Sequence, residues 1–341
     1  MTPPLVRQPA EWEPHRACWL AWPSHGHLWQ NQLGPAQAEF AALCVAIAEE
    51  GGEPLELLVQ DAAAETEARS ALAAVIGQVR FHQVPVGDIW LRDTAPIFLQ
   101  DGGGALSAAC FRFNGWGGKY VLPDDDRVAG RVAALSRVAR IDHPWVLEGG
   151  SVEVDGEGTV LTTRQCLLNP NRNPGMAQAE VERSLREALG AKKVLWLEEG
   201  LVNDHTDGHI DTLARFVAPG VVVCMAAHDA ADPNAATLDR LAADLAAFTD
   251  VQGRRLRVVR IPSPGVLLGE TGELLPASYV NFYIGNRCVV VPTYGTPQDE
   301  AAVAALAPLF PGRRVLGRSA RAILSGGGAF HCITQQQPEL P

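Results

Sequence analysis

Apolar residues recur at helical spacing in six stretches of the chain. In 35–50 they are Phe40, Leu43, Cys44 and Ile47, and the pattern stops at Gly51-Gly52. In 234–249, Leu238, Leu241, Leu245 and Phe248 form one stripe of a 3.6-residue helix. The alanine-rich stretch 61–76 opens on Asp61, a good helix N-cap. Stretches 124–139, 177–189 and 297–310 are helical by the same pattern. Short apolar runs lie between them and predict strands at 18–22, 55–59, 105–113, 152–163, 193–197, 212–217, 221–226, 257–261, 279–284 and 287–292. Turns are expected at Asp155-Gly156 or Glu157-Gly158, at Pro219-Gly220 and at Gly285-Asn286.

Strands therefore arrive in groups, with a helix between groups. The last four helices recur about every 50–60 residues, judged from their midpoints. This predicts an α/β fold of repeated strand-and-helix units. No long Ser- or Gly-rich linker interrupts it, so one domain spanning 1–341 is expected. A doubly wound sheet would want single β-α alternation and a G-x-G-x-x-G loop opening a helix. Neither is present.

Composition narrows the partners. The chain has 341 residues, 47% hydrophobic and 20% charged, enough for a sizeable core. A formal net charge of −11 opposes phosphate binding, so nucleic acid is a poor partner. The same charge suits a cationic ligand. No run of 18 apolar residues predicts a membrane span, and Met1 to Pro14 lacks a signal-peptide core. The seven cysteines are odd in number and form no C-x-x-C. Cys18, Cys44, Cys110, Cys224 and Cys288 lie in apolar stretches and read as reduced core residues, which fits the cytoplasm. A homo-oligomer stays open.

Four segments place polar residues in apolar, turn-rich contexts. In Trp90-Leu91-Arg92-Asp93-Thr94-Ala95-Pro96, Asp93 follows a strand-like stretch, where a carboxylate is well placed for a ligand. A salt-bridged turn built on Arg92 is the bland alternative. Glu148-Gly149-Gly150 suggests a backbone close to something, or an ordinary glycine turn. His209 and Asp211 alternate in a strand-like stretch and so share a face, an imidazole beside a carboxylate. No second cluster supplies matching metal ligands, so a metal is not expected. Finally, Gly326-Gly327-Gly328 precedes His331-Cys332, and a thiol among glycines and polar residues is reachable by a small molecule.

Thiol and imidazole are the parts of covalent catalysis. Carboxylates around a thiol oppose its ionisation, however. A cationic substrate resolves that conflict, and a guanidinium fits best because it is planar, always charged and offers forked donors.

These residues resemble the guanidine-modifying enzymes of the pentein superfamily, most of all the agmatine deiminases. The matching stretches include Glu11-Trp12-Glu13-Pro14-His15, Trp90-Leu91-Arg92-Asp93, Phe113-Asn114-Gly115-Trp116-Gly117-Gly118, Thr206-Asp207-Gly208-His209-Ile210-Asp211, Ser278-Tyr279-Val280-Asn281 and Gly326 through Gln336. The resemblance implies a five-bladed α/β propeller with pseudo-fivefold symmetry, and cofactor-free hydrolysis of agmatine. It implies Cys332 as nucleophile, His209 as proton carrier, and Asp93 and Asp211 as the guanidinium grip. Glu148 then helps place His209 or the substrate, and Trp90, Trp116 and Asn281 line the pocket, with core packing the bland alternative for the tryptophans. Ala95 and Thr212 depart from the family pattern and mark a divergent branch.

The enzyme rivals are a deiminase of arginine or peptidyl arginine and, further off, an amidinotransferase. An arginine site needs a basic residue in the tail pocket, with Arg112 and Lys119 nearest by sequence. A non-catalytic binding protein of the same fold would have no reason to keep the thiol, the imidazole and the carboxylates.

Overall fold

A strand that leaves a sheet through a helix and returns to its own side comes back parallel. The chain does this six times, once in each sheet and a second time in the first, where helix Ala62–Ala71 joins Leu55–Val59 to Val79–Gln83. In the computed structural model, which describes residues 6–340, helix Leu33–Val45 lies between strands His15–Ala21 and Leu55–Val59. Helix Asp125–Ser136 lies between Leu106–Arg112 and Ala139–Val146, and Gln178–Leu189 between Thr159–Thr163 and Lys193–Leu197. Helix Ala235–Ala247 lies between Val221–Ala226 and Arg257–Pro262, and Asp299–Leu306 between Cys288–Thr293 and Arg314–Ser319. All six strand pairs are parallel.

Each first strand also has an antiparallel partner on its other edge. These are Gln335–Pro338, Ile97–Asp101, Glu153–Val154, Ala214–Ala218 and Tyr283–Ile284. The result is a mixed α/β fold with five separate sheets of three or four strands. Strand Gln335–Pro338 pairs with His15–Ala21, so the last strand joins the sheet of the second, while the first, Val6–Arg7, edges the sheet of Ile97–Asp101.

The helices form where the apolar stripe predicts them. Gln178–Leu189 buries Val181, Leu185, Ala188 and Leu189 on one face. Gly190 ends it in a left-handed conformation at φ 73°, and its N–H returns to the last turn. Asp61 does cap Ala62–Ala71, its carboxylate accepting from Ala64 N–H. The central strands are buried on both faces, which is why they read as unbroken apolar runs.

Three details differ from the pattern. The expected strand at 212–217 begins only at Ala214, after a 3-10 turn at Ile210–Thr212. The expected strand at 279–284 is reduced to Tyr283–Ile284, because the side chains before it bond to other loops. Outer strands such as Ala139–Val146 and Arg314–Ser319 are half exposed and carry little apolar signal. Met1–Leu5, part of the stretch read above as lacking a signal-peptide core, lie outside the described residues. Among the described residues no helix is long and apolar enough to cross a membrane.

Five connections carry the chain from the outer parallel strand of one sheet into the antiparallel pair of the next. They span 84–96, 147–152, 198–213, 263–282 and 320–334. Asp93, Glu148, His209 with Asp211, Asn281 and Cys332 fall one connection at a time onto these five segments.

One fold residue gives a test of its own. Asp125 is buried at the start of its helix, and one oxygen accepts from Gly87 N–H at 2.8 Å while the other has no partner. Burial and then nearby Asp88 push its carboxyl up to about 7. The cost of the buried charge is complete above that value and fades as pH falls toward 3.8, the ordinary value for the unfolded chain. Asp125→Asn keeps the acceptor and removes the charge. It should raise the melting temperature at pH 8 by roughly 2–4 °C, worth about 1–3 kcal/mol, with the gain shrinking by pH 5. A gain that is equal at both pH values, or absent, would contradict this account.

Candidate active site

The five connections deliver their side chains to one place, and glycine makes room for them there. Gly149 passes so close to Arg92 that a Cβ would lie 2.2 Å from the Arg92 carbonyl oxygen. A Cβ on Gly150 would lie 2.6 Å from His209 Nδ1, 2.9 Å from Asp93 Oδ1 and 3.1 Å from Asp211 Oδ2. Gly150 therefore marks the point on which imidazole and both carboxylates converge. The glycine pair after Glu148 is an opening for that convergence, rather than an ordinary turn.

Asp93 sits on a short helical turn, Leu91–Thr94, and not at a strand end as its sequence context suggests. Its Oδ1 accepts from Gly150 N–H at 2.9 Å and its Oδ2 from the Trp116 indole at 2.8 Å. Trp116 reaches it from a left-handed backbone at φ 52°, flanked by Gly115 and Gly117, also at positive φ. Such a conformation costs a non-glycine residue of order 1–3 kcal/mol and persists where the surroundings enforce it. Trp90 stacks on Trp29 at 6.1 Å, and both indoles donate to Asp88. Cβ atoms on Gly326 or Gly328 would strike Trp90, so the glycine run lets the indole lie flat beside Cys332. Both tryptophans are thus hydrogen-bonded wall residues and more than core packing.

His209 caps the 3-10 turn at Ile210–Thr212 and Asp211 lies within it, so strand alternation does not bring them together as the sequence suggested. They converge through the turn instead. Both are fully buried. Both ring nitrogens of His209 and Oδ1 of Asp211 lack a hydrogen-bond partner. Thr212 donates its hydroxyl to the His209 carbonyl and steadies the turn. Asn281 donates to Cys332 Sγ at 3.1 Å, while its own side-chain oxygen accepts from the His331 and Cys332 backbone N–H groups. Cys332 Sγ is 3.6 Å from Asp211 Oδ2. Glu148 pairs with Arg172 at 2.6 Å, with both side chains buried.

The electrostatics set these groups apart. Burial, then Asp211 and Asp93, push the Cys332 thiol well above its ordinary range. Burial alone would push His209 down. Asp93, Cys166 and Glu148 outweigh it and hold the imidazolium well above the ordinary histidine range. Burial raises Asp93, helped by the like charges of Asp211 and Glu148. Burial also opposes Asp211, but its contact with His331 prevails and lowers it. These directions favour a neutral thiol, a proton-bearing imidazole and an ionised Asp211.

A cavity of about 270 Å³ leads to Cys332 and Asp93. Its walls are mainly Trp29, Trp90, Trp116, Tyr120 and Leu122, and no lysine or arginine lines it. Cys332 lies at its end and is only 6% exposed, less open than its glycine-rich context suggests. Lys119 is committed to Asp207 at 2.5 Å and to the His205 carbonyl.

Sequence reasoning missed several participants. Cys166 places its sulfur within 4.8 Å of donor atoms of Glu148 and His209. Those three are donors of metal-binding type, but Glu148 already has its cation in Arg172. Arg172 also binds Asp207 and the Thr206 carbonyl, tying the Glu148 connection to the His209 connection. Its Asn-Pro-Asn-Arg-Asn context gave no signal beyond a turn. His331 was visible only as the neighbour of Cys332.

The family model for the Porphyromonas-type peptidyl-arginine deiminases matches residues 7–338. An agmatine deiminase of Pseudomonas aeruginosa (strain LESB58) is 40% identical over 97% of this chain and 95% of its own. The solved agmatine deiminase of Enterococcus faecalis is 31% identical, covers 99% of this chain and 97% of its own, and superposes with a TM-score of 0.92. A cysteine-to-serine agmatine deiminase of C. jejuni with substrate bound is 27% identical, with a TM-score of 0.90, 99% of this chain and 98% of its own. The chain belongs to the Porphyromonas-type peptidyl-arginine deiminase family.

Proposed function

We propose that the chain hydrolyses agmatine to N-carbamoylputrescine and ammonia through a covalent thiouronium on Cys332. The observation that carries this reading is a set of buried polar atoms on His209 and Asp211. Among the described residues, Asp211 Oδ1 and both His209 nitrogens have no hydrogen-bond partner, and the nearest charge to His209 Nδ1 is Asp93 at 3.8 Å. Native interiors leave few polar atoms in that state, so a ligand is the natural partner. A ligand that suits two carboxylates is a cation with forked N–H donors, which describes a guanidinium. The names of the relatives support the same reaction.

In the proposed mechanism Asp93 and Asp211 grip the guanidinium nitrogens. Its positive charge offsets the two carboxylates that hold the Cys332 thiol neutral, and the thiol proton is lost to water. The thiolate attacks the guanidinium carbon. One C–N bond breaks, and His209 gives its proton to the departing ammonia. Neutral His209 then takes a proton from water, whose oxygen attacks the same carbon. The C–S bond breaks, the hydroxyl proton of the new carbonyl is lost to water, and the thiolate returns. Glu148, held by Arg172, keeps His209 charged for the first half of the cycle. Asn281 steadies the sulfur, and Trp90 and Trp116 wall the pocket. The reaction as written draws only on the chain and water.

The tail of the substrate selects against arginine. Arginine's carboxylate would enter a cavity with no lysine or arginine in its walls. Agmatine lacks that group. Its kcat/KM should therefore exceed that of free arginine by about 10²-fold or more, since an unpaired charge in a built pocket is strongly rejected. A blocked arginine peptide should be poorer still. A turnover assay comparing the three, with ammonia and ureido product measured, tests the reading, and a preference for arginine or the peptide would replace it.

We further read the five sheets as the blades of a single-domain five-bladed propeller, and the enzyme as cytoplasmic. The repeated hairpin-helix-strand unit and the pairing of the last strand, Gln335–Pro338, with His15–Ala21 support the first. Seven buried, unpaired cysteines support the second.

A further inference from the structure

Beneath the groups that face the substrate lies a buried charged layer. Arg215 donates to Glu11 Oε2 at 2.6 Å, to Glu153 Oε2 at 2.8 Å and to the Phe282 carbonyl at 2.8 Å. Arg92 lies 3.7 Å from Glu11 and donates to Gln336. His331 completes the layer. Its Nδ1 is 2.7 Å from Asp211 Oδ2, and its Nε2 is 2.8 Å from Glu11 Oε2.

A neutral imidazole has one N–H, and an ionised carboxylate only accepts. Two carboxylates on one ring therefore call for an imidazolium. Glu11 Oε1 accepts from Ile284 N–H, so that carboxyl has no natural place for a proton, and contact with the ring holds Asp211 below its ordinary range. Charge balance points the same way. Glu11, Glu153 and Asp211 carry three negative charges against the two of Arg92 and Arg215. A protonated His331 closes the difference in a region where an uncompensated charge is very costly.

We propose that His331 is a positioning residue, an imidazolium that pins Asp211 through Oδ2 and so presents Oδ1 to the substrate. The proposal rests on the deiminase reading for its role in turnover, though not for its geometry. The ring also sits next to the nucleophile in sequence. His331 N–H donates to Asn281, and its carbonyl accepts from Arg92 at 3.3 Å, so the same residue fixes the backbone that carries Cys332. The titratable and charged groups facing the ring are Asp211, Glu11, Arg92, Arg215, Glu153 and Cys332.

The test has two arms. The first uses the intact protein without substrate. Imidazole ¹⁵N NMR, with His331 assigned through its connection to Cys332, should show both ring nitrogens protonated in the folded protein. A ring with a single N–H there overturns the proposal. The second uses His331→Gln, which carries no charge and reaches one carboxylate at most. Its kcat/KM for agmatine should fall by about 10²-fold. The acidic limb of its pH profile should move to higher pH, because Asp211 loses the partner that holds it low. An unmoved limb in a folded variant overturns the positioning role, which a merely structural histidine would predict. If the variant does not fold, the first arm decides alone. If the parent does not turn over agmatine, the deiminase reading falls, and the first arm still decides the charge on His331.

Discussion

A Cys332→Ala protein releases no ammonia from agmatine and still binds it. The loss should be on the order of 10⁴-fold or more, because no other group in the cavity forms the covalent bond. The fold should survive. The sulfur lies at the end of an existing cavity and receives only the Asn281 donation, so its removal breaks no buried ion pair. Binding should survive as well, since Asp93 and Asp211 remain. Their grip loses nothing, and the space beside it grows. Agmatine should therefore still raise the melting temperature of the variant. Two outcomes discriminate. Ammonia release near the parent rate removes Cys332 from the chemistry. Loss of both turnover and the agmatine-induced thermal shift means the thiol is part of binding, and the grip has been misplaced.

Gly150→Ala should come close to the same loss by adding one methyl group. That methyl would stand 2.6 Å from His209 Nδ1 and 2.9 Å from Asp93 Oδ1. Real Cβ contacts are never so short, so the imidazole or the carboxylate must move. A displacement of about 1 Å costs about 10²-fold in a site that works by positioning, and two displaced partners should cost about 10³-fold. Backbone strain is not the cause, because Gly150 is not among the glycines held at positive φ. The Gly150 N–H bond to Asp93 also remains available. The variant should thus keep its secondary structure and most of its melting temperature while kcat falls. Near-parental turnover would mean that the convergence on Gly150 is not where the guanidinium reacts.

Much of the fold was readable because its central strands and helices obey simple periodicities. Val221–Ala226 and Cys288–Thr293 are apolar throughout because both faces are covered. Strand Gln335–Pro338 was not readable. It is buried yet polar, since Gln336 and Gln337 answer donors from Arg92 and Trp19 rather than pack against an apolar layer. The chemistry of the site was readable as residue types in unusual contexts. Its geometry was not. His209 and Asp211 looked like neighbours on a strand face, but a 3-10 turn delivers them, and sequence alternation carries no information about a turn. Arg172, Cys166 and His331 act on residues 18 to 320 positions away. Nothing local marks such partners, because their signal is the contact itself.

The delivery of the site by five inter-sheet connections has a consequence for the protein before it is finished. No one sheet owns the chemistry. A chain missing any one of the five holds an incomplete set: a thiol without its clamp, or a clamp without its proton donor. On the proposed mechanism, half-assembled forms are therefore inert toward agmatine. Activity should appear as an all-or-none property of the completed structure, so that turnover itself certifies that every sheet is in place.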